Sequence, residues 1–176
     1  MEAADGNLSN WLRQRVDPTT FAQRANLAIG IASGLVYLHG MDLPVVHCDL
    51  KPENVLLSSD GSNARICDFG HAVELPRAGG LGPRGGTPGW RAPEQAIVSR
   101  SSSKWHELTP YELSTSVDVW AFGCILVVLE GKPSVVDPYQ FCEGRSQQDW
   151  NQIDEQVGKG NLLPKPTPDG WFTHIV

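Results

Sequence analysis

Apolar positions fall at helical spacing over residues 20–39, where Ala25, Ala28, Ile29, Ala32, Leu35, Val36 and Leu38 trace a face. Thr19 or Thr20 can cap this helix, and Gly40 ends it. A shorter helix is predicted over 7–15, with Asn7 as its cap and Leu8, Trp11 and Leu12 on one side. The rhythm then changes to short strand-like runs at Val45-Val46, 55–57 and 64–67. Asp60-Gly61, within 58–63, marks a hairpin turn between the last two. Residues 114–130 are apolar almost all round, which predicts a central, buried helix. Residues 147–157 make a weaker helix candidate. Residues 76–89 are rich in Gly and Pro and predict an open loop, a kind that is usually functional. Residues 99–103 read as a polar surface insertion. The stretch from 161 onward, with Pro164, Pro166 and Pro168, reads as extended.

Composition narrows the class. The chain has 176 residues, 40% hydrophobic and 19% charged, which fits one globular domain or most of one. A net charge of -6 argues against general nucleic-acid binding or adhesion to anionic membranes. The longest apolar run, 119–129 interrupted by Gly123, is far short of the ~20 residues that a bilayer needs. Met1 is followed by Glu2, Ala3, Ala4 and Asp5, which is no secretory signal. Cys48, Cys67, Cys124 and Cys142 form neither a C-x-x-C pair nor a zinc spacing with His. Free thiols in a reducing, intracellular and cytoplasmic setting are expected.

The informative stretch is His47-Cys48-Asp49-Leu50-Lys51-Pro52-Glu53-Asn54, followed by Val55-Leu56-Leu57. It sets a carboxylate, an ammonium and a carboxamide close together in a turn between short strands. Phosphoryl transfer calls for those groups: a carboxylate to accept the proton of an attacking hydroxyl, a cation for the moving phosphoryl group, and an amide oxygen for a metal. Asp68-Phe69-Gly70 adds a second carboxylate suited to Mg²⁺. Gly86-Thr87-Pro88-Gly89-Trp90-Arg91-Ala92-Pro93-Glu94 and Asp118-Val119-Trp120-Ala121-Phe122-Gly123 follow. Taken singly, Asp49, Asp60 and Asp118 would be ordinary turn or cap residues.

In this order, the four motifs resemble the eukaryotic protein kinase family, in its larger, C-terminal lobe. Lys51 and the Gly86-Thr87 pair resemble its serine/threonine branch. The resemblance implies a protein kinase-like α+β fold, with a mostly α-helical C-lobe and short antiparallel strands at the catalytic loop. It implies ATP and Mg²⁺ as cofactors and proteins as substrates. Asp49 would accept the substrate hydroxyl's proton, and Lys51 would contact the transferring phosphoryl group. Asn54 and Asp68 would bind Mg²⁺, and Leu56 would touch the adenine ring. Thr87 would position Asp49 and Lys51 and line the substrate groove. Asp118 would anchor the catalytic loop through its backbone. His47 would be structural, stacked on Phe69, and Glu53 would cap or face solvent. Trp120, Phe122, Ile125 and Leu129 are core. Cys48 and Cys67 are plain thiols, and the carboxylate beside Cys48 disfavours its thiolate.

The chain also departs from the family. Gly79-Gly80-Leu81-Gly82 lies after Asp68-Phe69-Gly70 and precedes no V-A-x-K lysine, so it is no phosphate loop. Residues 1–176 are therefore expected to be a partial kinase domain, a piece of a longer kinase without the ATP-binding lobe and last helices, and to transfer phosphate poorly alone. Glu94 lacks an evident partner near the C-terminus. Cys48 stands where the family usually has Arg, and Thr87 is the sole hydroxyl side chain between Asp68 and Glu94. Within the domain, 68–94 is assigned as the activation segment and 95–113 as an insertion and loop. The expected function is ATP-dependent phosphorylation of protein Ser or Thr. The alternative is a non-catalytic kinase-like module acting as a scaffold.

Overall fold

The structure is a computed structural model and describes residues 6–14, 20–75, 86–99, 113–130, 138 and 147–164. The chain opens with β1 (Gly6–Asn7) and α1 (Leu8–Gln14), then α2 (Phe21–His39) and β2 (Val45–Val46). A 3₁₀ turn (Pro52–Asn54) leads into β3 (Val55–Leu57), β4 (Ala64–Ile66), a second 3₁₀ turn (Phe69–His71) and β5 (Val73–Glu74). The rest is helical: α3 (Pro93–Ser99), α4 (Ser116–Glu130) and α5 (Gln147–Gly158). Two small antiparallel sheets result, one in the order β1-β3-β4 and one pairing β2 with β5. Mostly helical architecture with short antiparallel strands is what the sequence implied. The loop expected over 76–89 lies largely outside the described residues, as do 99–103 apart from Ser99, the tail beyond 164, and Cys142.

Local chemistry sets the helix starts. Thr20 Oγ1 accepts from the Gln23 amide at 3.2 Å, and Gln23 Oε1 accepts from the Thr20 amide at 3.0 Å. Such a reciprocal cap is worth about 1 kcal/mol. Asn7 caps α1 by accepting from the Asn10 amide at 2.8 Å, while its own backbone pairs with Leu56.

The buried face of α2 is not quite the one that the spacing suggested. Leu27, Ala28, Ile31, Leu35 and Leu38 are buried, whereas Ile29 and Val36 are exposed. Two glycines account for the rotation. A Cβ on Gly30 would lie 3.0 Å from the Ala64 carbonyl oxygen, and one on Gly34 would lie 3.0 Å from Ile66 Cδ1. The glycine edge thus lets β4 press against the helix, and its flanking residues become the core face. α4 likewise is not apolar-buried all round, since Val119 is exposed.

The main core joins α1, α2, β3, β4 and α4 through Leu8, Leu12, Leu27, Ile31, Val55, Ile125 and Leu129. Burying each such side chain contributes roughly 1.5–3 kcal/mol. A second cluster of Val46, Cys48, Ala92 and Val117 lies under the catalytic loop. A third, Ile153 and Val157, belongs to α5. Trp120 on α4 packs against all three, so the loop and α5 share one support.

Candidate active site

Asp118, near the start of α4, is almost fully buried and sets the backbone of the loop before Asp49. Its Oδ2 accepts from the His47 amide at 2.8 Å, and its Oδ1 accepts from the Cys48 amide at 2.9 Å. His39 Nε2, from the last turn of α2, lies 2.8 Å from the same Oδ2. Two successive amides can converge on one carboxylate because Cys48 is left-handed, with φ 67°. For a non-glycine residue this conformation costs on the order of 1 kcal/mol or more, so its surroundings must hold it. They do: the Cys48 carbonyl accepts from Gln95 Nε2 at 3.1 Å.

His47 is buried and locks this loop to the segment after β4. Its Nδ1 accepts from the Asp49 amide at 3.3 Å, so its hydrogen is placed on Nε2, which donates to the Cys67 carbonyl at 2.9 Å. Its ring meets Phe69 edge-on, with centroids 5.2 Å apart. These contacts are structural ones.

The charged groups meet one step further on. Asp49 is 5% exposed. Thr87 Oγ1 donates to Asp49 Oδ1 at 2.8 Å and accepts from Lys51 Nζ at 2.6 Å. Lys51 Nζ also lies 3.1 Å from Asp49 Oδ2. One hydroxyl therefore bridges the carboxylate and the ammonium, and all three side chains form a closed ring of contacts. Asn54 Nδ2 donates to the Asp49 carbonyl at 2.8 Å. With its NH₂ group committed there, the amide oxygen of Asn54 is left as an acceptor.

Asp68 is left-handed too, with φ 61°, and one of its oxygens accepts from the Gly70 amide at 3.3 Å. The Cys67 amide donates to the Asn54 carbonyl at 2.9 Å, which brings the chain before Asp68 against Asn54. Neutral and anionic oxygens of this kind suit a hard cation such as Mg²⁺, so Asn54 and Asp68 fit the ion that the sequence implied. Among the described residues, no cluster of three or more His, Cys, Asp or Glu forms a metal site. Leu56 lies on β3 with its side chain half-buried, on the sheet face opposite Val55 and Leu57.

Several neighbours were not legible in the sequence. His71 Nδ1 lies 3.8 Å from Asp49 Oδ2, with its side chain 47% exposed. Gln95 Oε1 accepts from the Ala92 amide at 3.0 Å, so Gln95 stitches the segment after Thr87 to Cys48. Glu94 accepts from Ser116 Oγ at 3.2 Å, at the start of α4. Glu53 accepts from Ser9 Oγ at 2.8 Å. Apart from the local Ala92–Gln95 bond at the start of α3, these pairings join residues far apart in the chain, which no motif foretold.

The thiols are quiet. Burial, then the carboxylates of Asp118 and Asp49, push the Cys48 thiol up to about 12. Burial pushes Cys124 up to about 12 and also raises Cys67, with Asp68 adding to the latter. All three are free. No helix among the described residues is long and apolar enough to cross a membrane.

The loop, the bridging hydroxyl and the D-F-G turn are arranged as the sequence resemblance implied, and a family model of the protein kinase domain matches residues 1–160. The chain belongs to the protein kinase domain family. It is 36% identical over 144 residues to the G-type lectin S-receptor-like serine/threonine-protein kinase SD2-5 of Arabidopsis thaliana, covering 78% of this chain and 16% of that protein. It is 33% identical over 159 residues to the EPD1-interacting receptor-like cytoplasmic serine/threonine-protein kinase of Nicotiana benthamiana, covering 84% of this chain and 30% of that protein. It is 45% identical over 139 residues to rhodopsin kinase grk7-b of Danio rerio, covering 79% of this chain and 20% of that protein. The chain thus spans less than a third of the length of these curated relatives.

Proposed function

We propose that this chain carries the phosphoryl-transfer machinery of a protein serine/threonine kinase. The observation that carries the proposal is the Thr87 hydroxyl, shared between Asp49 at 2.8 Å and Lys51 at 2.6 Å. It fixes a proton acceptor and a cation at one point, where an attacking hydroxyl and a moving phosphoryl group would need them. Asp49 takes the proton of the substrate's Ser or Thr hydroxyl. Lys51 stabilises negative charge on the transferring group, and Thr87 keeps the two in register at the substrate groove. Most of the rate then comes from positioning and charge stabilisation. Asn54 and Asp68 hold Mg²⁺, which when bound neutralises phosphate charge. Leu56 would contact the adenine of ATP.

In this proposal residues 1–176 act as the C-lobe of a larger kinase domain, with 68–94 as the activation segment and 95–113 as an insertion. The substrates are proteins. The cysteine spacing, with no C-x-x-C pair, supports an intracellular setting.

The test uses protein made from the complete coding sequence, radiolabelled ATP, Mg²⁺ and a generic basic protein substrate. Phosphoserine or phosphothreonine is expected, and Asp49→Asn removes it. Labelling that survives Asp49→Asn, or phosphotyrosine alone, overturns the proposal. Tight binding of a partner without turnover would point to the scaffold role instead.

A further inference from the structure

Thr87 reaches Asp49 and Lys51 through its hydroxyl, but the backbone of the turn that carries it is anchored from outside the catalytic loop. The turn closes on itself through the Trp90 amide, which donates to the Thr87 carbonyl at 3.0 Å. Its outer anchor comes from α5. Asp154 is 2% exposed, and both of its oxygens reach this turn. Oδ1 accepts from the Gly89 amide at 2.8 Å, and Oδ2 accepts from Arg91 Nη1 at 3.0 Å. Arg91 Nε in turn donates to the Gly86 carbonyl at 2.8 Å. Thr87 is therefore flanked on both sides by backbone groups tied to one buried carboxylate.

We propose that Asp154, acting with Arg91, is a positioning residue that latches the Thr87 turn against the Asp49–Lys51 pair. What the latch serves rests on the kinase proposal above; the latch itself does not. A buried ion pair is a poor way to gain stability, because desolvating two charges offsets much of their attraction. Its merit is directional. The guanidinium fork and the two carboxylate oxygens set Gly86 and Gly89 at fixed places, which apolar packing cannot do. The contacts they hold, at 2.6 and 2.8 Å, fail if Thr87 moves by about 1 Å, and a misplacement of that size can lower a rate by about 10²-fold. The effect of losing the latch is local. Gln95 separately ties Ala92 to the Cys48 carbonyl, so the segment stays attached to the catalytic loop when the turn is released.

Asp154→Asn keeps the shape and an acceptor for Gly89 but turns a donor toward Arg91. Arg91→Met removes the fork, and Arg91→Lys keeps charge without the second bond to Gly86. In the complete protein, Asp154→Asn and Arg91→Met are expected to lower kcat by about 10–10²-fold, with the KM for ATP little changed, and Arg91→Lys to fall between. On the same samples, amide hydrogen exchange at Gly89 and Trp90 is expected to rise by about tenfold or more, with the core amides of α2 unchanged. Unchanged exchange at Gly89 and Trp90 overturns the latch. So does a uniform rise across α2 and α5 with kcat per folded molecule intact, which marks a merely structural pair. If the unsubstituted protein transfers no phosphate, the kinase proposal fails, and the exchange pattern alone decides the latch: a local rise supports it and any other pattern overturns it.

Discussion

The two segments that supply the site's carboxylates are built in opposite ways. Most of residues 47–54 is buried, with Asp49 and Asn54 each 5% exposed and His47 fully enclosed, while Lys51 is half-buried and Glu53 faces solvent. The turn Phe69–His71 and the Asp68 that precedes it are open, with Phe69 48% exposed. Both use one left-handed non-glycine residue to aim a carboxylate, Cys48 in the first case and Asp68 itself in the second. At Cys48 the strain is held from both sides, by Asp118 on the amide and Gln95 on the carbonyl. At Asp68 the side chain turns back on the Gly70 amide of its own turn. The half of the site around Asp49, which we propose takes the proton, is thus held in place by the core, while the half around Asp68 is set by local geometry and left accessible.

The largest test of that contrast is chemical. Asp49→Asn is expected to lower kcat by about 10²–10⁴-fold with ATP affinity little changed, because it removes the acceptor without touching nucleotide contacts. Asp68→Asn is expected instead to raise the Mg²⁺ concentration needed for half-maximal rate. Steady-state kinetics of the complete protein across a Mg²⁺ titration separates the two, and equal, small effects would break the division of labour.

Stability probes come next. Asp118→Asn puts an amide donor where three donors converge, and is expected to destabilise the fold by about 2–4 kcal/mol in urea titrations. His47→Ala strands the Cys67 carbonyl and the Asp49 amide, and is expected to cost about 2–3 kcal/mol. Phe69→Ala, at a half-exposed ring, is expected to cost under about 1 kcal/mol. A Phe69 loss as large as the His47 loss would erase the difference between the two segments.

The last probe is a slope. Cys48 and Cys124 titrate near 12 in the folded protein against 9.0 as the ordinary value. Above pH 9 the unfolded chain sheds these protons first, so it binds fewer of them than the folded state. Stability therefore falls as pH rises from about 9 to about 12, by about 1.4 kcal/mol per pH unit for each thiol. Urea midpoints at pH 8, 9 and 10 are expected to show a shallower decline for Cys124→Ala than for the parent.

Much of the fold was legible because it rests on local signals. The capping box at Thr20, Gly40 after α2, and the Asp60-Gly61 turn all act within a few residues of themselves. The misjudged face of α2 shows the limit. Apolar spacing finds two stripes there, and the choice between them depends on β4 meeting Gly30 and Gly34. The short strands β1 and β5 and helix α3 carried too little pattern to be found. At the site, the motif residues Asp49, Lys51, Asn54 and Asp68 stood out through their spacing. Gln95, Arg91, Asp154 and His71 did not, since a lone Gln or Asp on a helix has the same appearance whether it faces water or a distant amide.

The anchoring of the catalytic loop by Asp118 has a consequence for the order of folding. The amides of His47 and Cys48 find their acceptor 71 and 70 residues later in the chain, and His39 finds the same one across 79. Contacts of such long range form slowly, because a large loop must close before they give anything back. The strands β3 and β4 and helix α2 can assemble from near neighbours, but the left-handed turn at Cys48 must wait for α4 to dock. A nascent chain that ended before residue 118 would contain every residue of the catalytic loop, yet lack the contact that gives the loop its shape.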